Sequence, residues 1–544
     1  MSDKQRKTEY LLTALSALII LAYFALFSFL DFGYFARIST SDMYEDTLVA
    51  RLMWEQKTLF PKNYLFGNQF YVVATPVLSA LFYGLTGSMN RAMAWATACM
   101  SMALLWSMEW MLRPCIRRLS LRLMALLVFM ASVFGPFTVF REDGQQLFFV
   151  MCSFYACYLI CFFVVLGDFG RARDSEDLRL PALLLSLFLC FCTGMQSPRQ
   201  TCVLILPLLC CEGLRALRRA MKREKPWPKG GRMRLWRVLV YTAANLLGLV
   251  FIRLLPVRHF SIYGGASVFS SASLADKLRD VQNAVVTVTG YDYTREGEAR
   301  LFFIVMFLSM SLLVLGAVWL LLRHRRSPTP GDAGLFWLVA ALGCLAVIAA
   351  SFVTSVQLRP IYLFLWYTLP ALSLALISQR IKPKLLNALI GFLCVLCAAN
   401  LYFSYRDDIR LAADPEPTPA QQVCDWALDN GYELVYGNQS ISAPYVAVCS
   451  DGKLIAGCWE DENVFHIMPY INIRDVYHLS DADRAVFVFL ESELPVMREK
   501  TEEAGIEMTY HGQYGPYYVY TASAQCLWPI TELIDYAERF PEYN

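Results

Sequence analysis

Charge is scarce in this chain: 17% of its 544 residues are Asp, Glu, Lys or Arg, against 57% hydrophobic, a balance that excludes an ordinary water-soluble domain. Inside the long apolar runs ionisable side chains are scarcer still. That argues against a proton-coupled transporter, which needs acidic or His relays at mid-membrane depth. Histidine is rare as well, with five in all; no two stand at metal-ligand spacing, and His324 belongs to the basic stretch "RHRR". The first apolar run, "LLTALSALIILAYFALFSFL", lacks a small-residue cleavage site, so it is expected to stay as a helix rather than be removed as a signal peptide. The glycines of "GLTGS" and "IYGGA" precede no strand-to-helix unit and give no nucleotide-binding signal. No internal repeat or low-complexity tract is present, and no nucleic-acid partner is expected.

What is abundant is apolar sequence in runs of about 20 residues, each long enough for one bilayer crossing. Five basic clusters set the orientation: Lys4/Arg6/Lys7, 113–122, 215–237, "RHRR" at 323–326 and "RIKPK" at 380–384. With all five on the cytoplasmic side, residues 31–90 lie outside and contain no complete crossing, and 70–87 forms a juxtamembrane or re-entrant helix. Crossings are expected near 9–30, 91–112, 121–140, 146–166, 180–196, 201–216, 236–255, 300–322, 334–355, 360–378 and 385–404, about eleven by the length criterion. The odd number puts the C-terminal part outside. There, from about residue 405, carboxylates outnumber Lys plus Arg roughly three to one.

The expected architecture is therefore an all-α polytopic membrane domain over 1–405, with external loops 31–90 and 256–299. A soluble extracytoplasmic α/β domain follows over 415–544. The tail shows a linker "DPEPTP", helical "AQQVCDWALDN" and "ELPVMREKTEEAG", and strand-like "ELVYG", "RAVFVFL" and "YYVYTA". Loop 256–299 opens Gly- and Ser-rich and suits a mobile lid. The protein is placed in the plasma membrane. Most of the 17 cysteines lie in apolar runs, where Cys acts as a small hydrophobe; only Cys424, Cys449, Cys458 and Cys526 stand where they could staple the soluble domain.

The ionisable residues gather at the external ends of the crossings: Asp42, Glu45 and Asp46 in the first loop, Glu142 and Asp143 in "FREDGQQ", Arg199 in "QSPRQ" and Arg359 in "QLRP". Carboxylates and arginines at one membrane surface suit transfer from a lipid-linked phosphate. A base is needed for an incoming hydroxyl and fixed cations for the departing phosphate, a task that the planar Arg fork meets well.

The segment "SDMYEDTLVARLMWEQKTLFP" resembles the first external loop of the C-type glycosyltransferases, polytopic enzymes that take sugars from polyprenyl-phosphate donors. Their aminoarabinose- and mannosyl-transferring branches read D-E-x-x-Y-x-x-x-A-x-x-M there, and Asp42, Ala50 and Met53 fall in register. Met43 replaces the second acidic residue and Asp46 takes the Tyr place, so the paired carboxylate would pass to Glu45 or Asp46. "FYVVATPVLSALFYGLTGSMNRAMAW" and "QLRPIYLFLWYTLPALSLAL" are similar to further segments of the family. The resemblance, over roughly 1–405, implies Asp42 as the general base, with Glu142 or Asp143 orienting acceptor or metal. Arg359, Tyr362 and Arg199 would neutralise the donor phosphate. It implies an inverting displacement, a polyprenyl-phosphate-linked sugar donor, a cell-envelope glycan, lipid or protein as acceptor, and membrane lipids as partners. A divalent cation, Mg or Mn, on Asp42, Glu45 and Asp143 is left open.

Plainer readings stand beside these. Glu45 and Asp46 fit a solvated helix start capped by Ser41, whose apolar residues would hold it flat on the membrane surface. Glu142 and Asp143 fit a polar turn with Gly144, and Arg199 and Arg359 fit interfacial snorkelling. Tyr514, Tyr517, Tyr518 and Tyr520 fit either a sugar-stacking face or ordinary strand positions. A non-catalytic carrier or flippase for envelope glycans is the alternative to an enzyme, and a structural membrane protein whose acidic tail binds a partner is a third reading.

Overall fold

The computed structural model describes residues 3–62, 64, 66, 72–133, 155–171, 180–226, 229–255, 273–289, 297–323, 332–355, 357–459, 464–465, 473, 476 and 484–523. Glu142, Asp143 and Cys526 lie outside that set. The described residues form two compact units, one within Met1–Phe27, Cys99–Pro256 and Ala266–Asp408, the other within Ser28–Ala98 and Ile409–Asn544. The second unit thus joins residues 28–98 to the C-terminal domain, a grouping that the linear boundary near 405–415 does not convey.

In chain order the helices up to the tail are α1 (Asp3–Ile38), α2 (Ser41–Glu55), α3 (Thr75–Thr86), α4 (Met89–Leu112), α5 (Leu119–Val133), α6 (Ala156–Arg171), α7 (Leu180–Gln196), α8 (Leu206–Met221), α9 (Lys229–Leu254), α10 (Leu274–Val288), α11 (Gly297–Arg323), α12 (Asp332–Val353), α13 (Leu369–Ser378) and α14 (Pro383–Ala412). Among the described residues six helical stretches are long and apolar enough to cross a bilayer: Gln5–Ile38, Gly231–Leu254, Ala299–Arg323, Ala333–Val353, Pro360–Ser378 and Pro383–Arg406. The chain is a multi-pass membrane protein. Helices α4 to α8 overlap the other five expected crossings, α5 and α7 being apolar but shorter. At 12 residues, α3 spans about 18 Å, and like α5 and α7 it is apolar but shorter than the six long helices. It starts at Thr75-Pro76 and stops at Gly87, whose φ of 66° suits a residue without Cβ.

Within the first unit, helices meet through small residues and shared polar groups, as they must where no water satisfies the backbone. Gly194 of α7 and Gly248 of α9 let the two backbones touch: a Cβ at either would lie 2.2 or 2.1 Å from the carbonyl oxygen of Asn245 or Phe191. Tyr23 of α1 donates to the Cys397 carbonyl at 3.1 Å and accepts from Asn400 of α14 at 2.9 Å. Part of the expected mobile lid is ordered helix: within 256–299, α10 is capped by Ser273, whose hydroxyl accepts from the Asp276 amide at 3.1 Å. Its Lys277 is buried and donates to the Thr354 carbonyl at 3.1 Å. The S-x-x-D cap explains why this stretch is helix rather than loop.

The second unit contains α15 (Pro419–Asp429), α16 (Ala443–Cys449) and α17 (Leu494–Ala504), with a five-stranded sheet of β1 (Leu434–Asn438), β2 (Ile455–Trp459), β3 (Arg484–Phe489), β4 (Thr509–Tyr514) and β5 (Tyr517–Ser523), in the order β2-β1-β3-β5-β4. β1 lies parallel to β2 and β3, and β5 is antiparallel to β3 and β4. Ala485 to Phe489 are all fully buried, as a central strand covered on both faces requires. Tyr517 is buried, with its hydroxyl on the Ile441 carbonyl at 2.8 Å, and Tyr520 packs on Phe489 and Tyr510; both serve the sheet. Cys424, Cys449 and Cys458 are not joined by disulfides, so no staple links them.

Candidate active site

The acidic stretch forms α2, and its details depart from the plainer reading. Thr40, extended and with no side-chain cap bond, takes the N-cap position; Ser41 is already the first helical residue. Glu45 and Asp46 are only 8% and 1% exposed. The helix is buried along most of its length, with Met43, Tyr44, Leu48 and Val49 in the core of its unit. It is neither a solvated helix start nor a helix lying on the membrane surface. Spacing of three and four residues puts Asp42, Glu45 and Asp46 on one face, and Asp42 is the half-buried member.

Glu45 Oε1 accepts from the hydroxyl of buried Tyr64 at 2.9 Å. Burial first, and then the neighbouring charges of Asp42 and Asp46, push the Glu45 carboxyl well above the usual range; the Tyr64 bond only partly offsets this. Among the described residues no group of three His, Cys, Asp or Glu side chains could hold a metal ion. Glu45, committed to Tyr64 and favouring its neutral form, does not suit the ligand role that the Asp42, Glu45 and Asp143 set would give it.

A raised folded-state pKa on an acid means that the folded chain binds the proton more tightly than the unfolded one. Its stabilisation is complete below the ordinary Glu value of about 4.3 and is lost as pH rises toward the folded value. Thermal unfolding of the purified protein from pH 5 to 8 should therefore show a falling melting temperature that Glu45→Gln flattens. The same slope in both proteins would remove Glu45 as its source.

The C-terminal domain holds α2 in place within the second unit. The Ala456 amide of edge strand β2 donates to the Tyr44 hydroxyl at 2.8 Å, while the adjacent Ile455 amide bonds inward to the Glu433 carbonyl. Tyr44 thus satisfies a sheet edge. Arg51 donates to the Gly452 carbonyl at 2.7 Å and pairs with Glu55. Gly452 has φ +91, and a Cβ there would lie 2.4 Å from Met89 Sδ. Tyr44→Phe leaves a buried amide unpaired, at a cost of about 1–2 kcal/mol. Hydrogen exchange should then speed up in the peptide spanning β2; unchanged protection there would show that Tyr44 does not anchor it.

A second constellation lies in the first unit. After α7 the chain turns at Pro198, and a π-helical turn at Thr201–Ile205 precedes α8, a backbone form frequent at functional sites. The Arg199 guanidinium carbon sits 5.0, 5.5 and 5.1 Å from the ring centroids of Tyr155, Tyr158 and Tyr362. Tyr158 shares a 2.7 Å hydrogen bond with Ser197, whose Oγ also accepts from the Arg199 amide at 3.2 Å. Arg199 Nη1 is buried and, among the described residues, has no hydrogen-bond partner; nor does the buried amide of Gln200. No described carboxylate lies within ion-pair distance of Arg199. Caged by rings, it does not snorkel. Arg359, half-buried, caps the 3-10 helix Pro360–Thr368 that carries Tyr362, and its carbonyl accepts from the Tyr362 amide at 3.0 Å.

No family model and no curated protein match the chain. Solved structures do: ArnT from Cupriavidus metallidurans bound to undecaprenyl phosphate superposes with a TM-score of 0.58 at 11% identity, covering 93% of this chain and 97% of that one. The same protein in its apo state gives 0.55 at 11% identity, over 94% and 98%. The fold is that of the C-type glycosyltransferases. A looser likeness to the Archaeoglobus fulgidus oligosaccharyltransferase, TM-score 0.46 at 12% identity over 94% and 73%, adds nothing to the argument.

On this C-type fold the structure gathers Asp42, Glu45 and Asp46 on one helix face and brings Arg199 together with Tyr362. Glu142 and Asp143 lie outside the described residues. Sequence reading did not single out Tyr64, Tyr155, Tyr158 or Gln200. One signal was present for the middle pair: in "YACY" two tyrosines stand three apart in the middle of the crossing expected over 146–166, where a one-turn spacing aims both at the same neighbour.

Proposed function

We propose that the protein is a membrane glycosyltransferase that takes a sugar from a polyprenyl-phosphate donor at the extracytoplasmic face and passes it to a cell-envelope acceptor. The observation that carries this reading is Arg199. A half-buried arginine beside three aromatic rings, whose buried Nη1 has neither a hydrogen-bond partner nor a carboxylate beside it among the described residues, is costly to keep unless an anion visits. A phosphate monoanion or diester offers oxygens that match the guanidinium fork. The C-type fold supports the same ligand class, since ArnT is seen with undecaprenyl phosphate.

In the reaction proposed, Asp42 takes the proton of the acceptor hydroxyl as its oxygen bonds to the anomeric carbon. The bond from that carbon to the phosphate oxygen breaks, and its electron pair leaves with the polyprenyl phosphate. A single displacement inverts the anomeric centre. Arg199 stabilises the charge gathering on the phosphate, with Arg359 and Tyr362 as further phosphate contacts. Purified protein supplied with polyprenyl-phosphate sugars tests this. Turnover that depends on both Asp42 and Arg199 is expected; polyprenyl phosphate binding with no turnover on any donor would favour the carrier instead.

A further inference from the structure

Between the end of α8 and the start of α9, within the first unit, lies a groove of about 330 Å³ lined by Lys225, Pro226, Arg232, Leu235, Trp236 and Leu239. Arg232, Leu235, Trp236 and Leu239 follow the one-face spacing of a helix, so a single stripe of α9 makes one wall. Lys225 and Pro226 make the other. The groove has no acidic lining residue. Nearby cations are engaged, Arg215 with Glu212 and Arg237 with Asp168; among the described residues Lys225 and Arg232 enter no ion pair. Ten Lys or Arg and a single Glu occupy 215–237.

Below this cationic mouth the same stripe continues apolar and exposed. Trp236 is 43% exposed and Leu239 51%, and Leu246, Val250 and Leu254 follow on the same side at 47%, 55% and 75%. All lie in Gly231–Leu254, a helix long enough to cross the bilayer. A charged mouth, then an interfacial Trp, then an aliphatic track is the profile of a lipid molecule seen end-on: headgroup, ester region, acyl chain. The basic clusters put this end at the cytoplasmic leaflet, where anionic lipids draw Lys and Arg.

We propose that this groove binds an anionic glycerophospholipid, its phosphate against Lys225 and Arg232, its glycerol region beside Trp236 and one acyl chain along Leu239, Leu246 and Val250. The assignment does not rest on the sugar-transfer reading. A soluble nucleotide or inorganic anion would use the mouth but leave the apolar track unused, which is why the lipid is the better fit.

Native mass spectrometry of the full-length protein released from an equimolar mixture of phosphatidylglycerol and phosphatidylcholine reads the proposal out. Wild type should retain phosphatidylglycerol in preference by about thirtyfold, as two surface cations would give. Lys225→Gln/Arg232→Gln, both exposed positions, should lose that preference while keeping the thermal stability of wild type. Arg380→Gln/Lys382→Gln, exposed in a different basic cluster, should keep it. Equal retention of the two lipids by wild type, or undiminished preference in the Lys225/Arg232 variant, would overturn the proposal. So would displacement by glycerol phosphate as readily as by short-chain phosphatidylglycerol, which would make the groove a site for soluble anions.

Discussion

Asp42→Asn is expected to lower sugar transfer by about 10³-fold at matched folding, within the range that a positioned general base contributes, whereas Glu45→Gln should stay within about threefold of wild type. The contrast follows from how α2 treats its three acids. Asp46 is 1% exposed, out of reach of a hydroxyl that must arrive from outside. Glu45 is bonded to Tyr64 and pushed toward its protonated form, and a protonated acid cannot accept a proton. A Gln there still offers Tyr64 an oxygen, so the local structure survives the change. Asp42 alone is partly accessible, and a neutral Glu45 one turn away spares it a second close negative charge. Single-turnover transfer by the three proteins checks this. A loss in Glu45→Gln as deep as that in Asp42→Asn would mean that the acid pair works as a unit and that Glu45 is not a spectator.

The register of Asp42, Ala50 and Met53 and the sparse arginines at the ends of apolar runs made the acids of α2 and Arg199 with Tyr362 visible as sequence, though not the tyrosines Tyr64, Tyr155 and Tyr158 around them. They did so because the membrane removes alternatives: an ionisable residue at the end of an apolar run has few structural reasons to be there. What sequence could not give was burial. Glu45 and Asp46 follow a Thr and a Ser at a helix start, a pattern that normally means solvent; the reversal comes from the sheet edge at Ala456, some 400 residues further along, which closes over Tyr44. Periodicity carries no information about such a partner. The strands show the same division. β1, β3 and β5 announce themselves as apolar or aromatic runs, while β2, "IAGCW", and β4, "TYHGQY", are too small or too polar to do so and gain their conformation from the neighbours they pair with. Within 256–299, the glycine- and serine-rich front of the loop carries no helical period, and the S-x-x-D cap that starts α10 is a local signal only a few residues long.

Arg199→Ala should cut kcat/KM for the polyprenyl-phosphate sugar by about 10²–10³-fold, the loss seen when a fixed donor to developing charge is removed. The size depends on the surroundings. In water an Arg–phosphate contact is weak, but here three tyrosine rings crowd the half-buried Arg199 and its Nη1 is fully buried, so the charge acts through a lower effective dielectric. Arg199→Lys keeps a cation beneath the rings yet loses the planar fork, and a smaller loss of about tenfold is expected. Tyr158→Phe leaves the ring over Arg199 and removes only the bond to Ser197; activity within about fivefold of wild type would place the Tyr158 contribution in the ring face and not the hydroxyl. Equilibrium binding of polyprenyl phosphate alone separates the roles. If Arg199→Ala binds the lipid phosphate as tightly as wild type while transfer falls, Arg199 acts on the leaving group only after the bond begins to break. If binding and transfer are both unchanged, the caged cation holds the turn between α7 and α8 together, and the phosphate must be sought at Arg359.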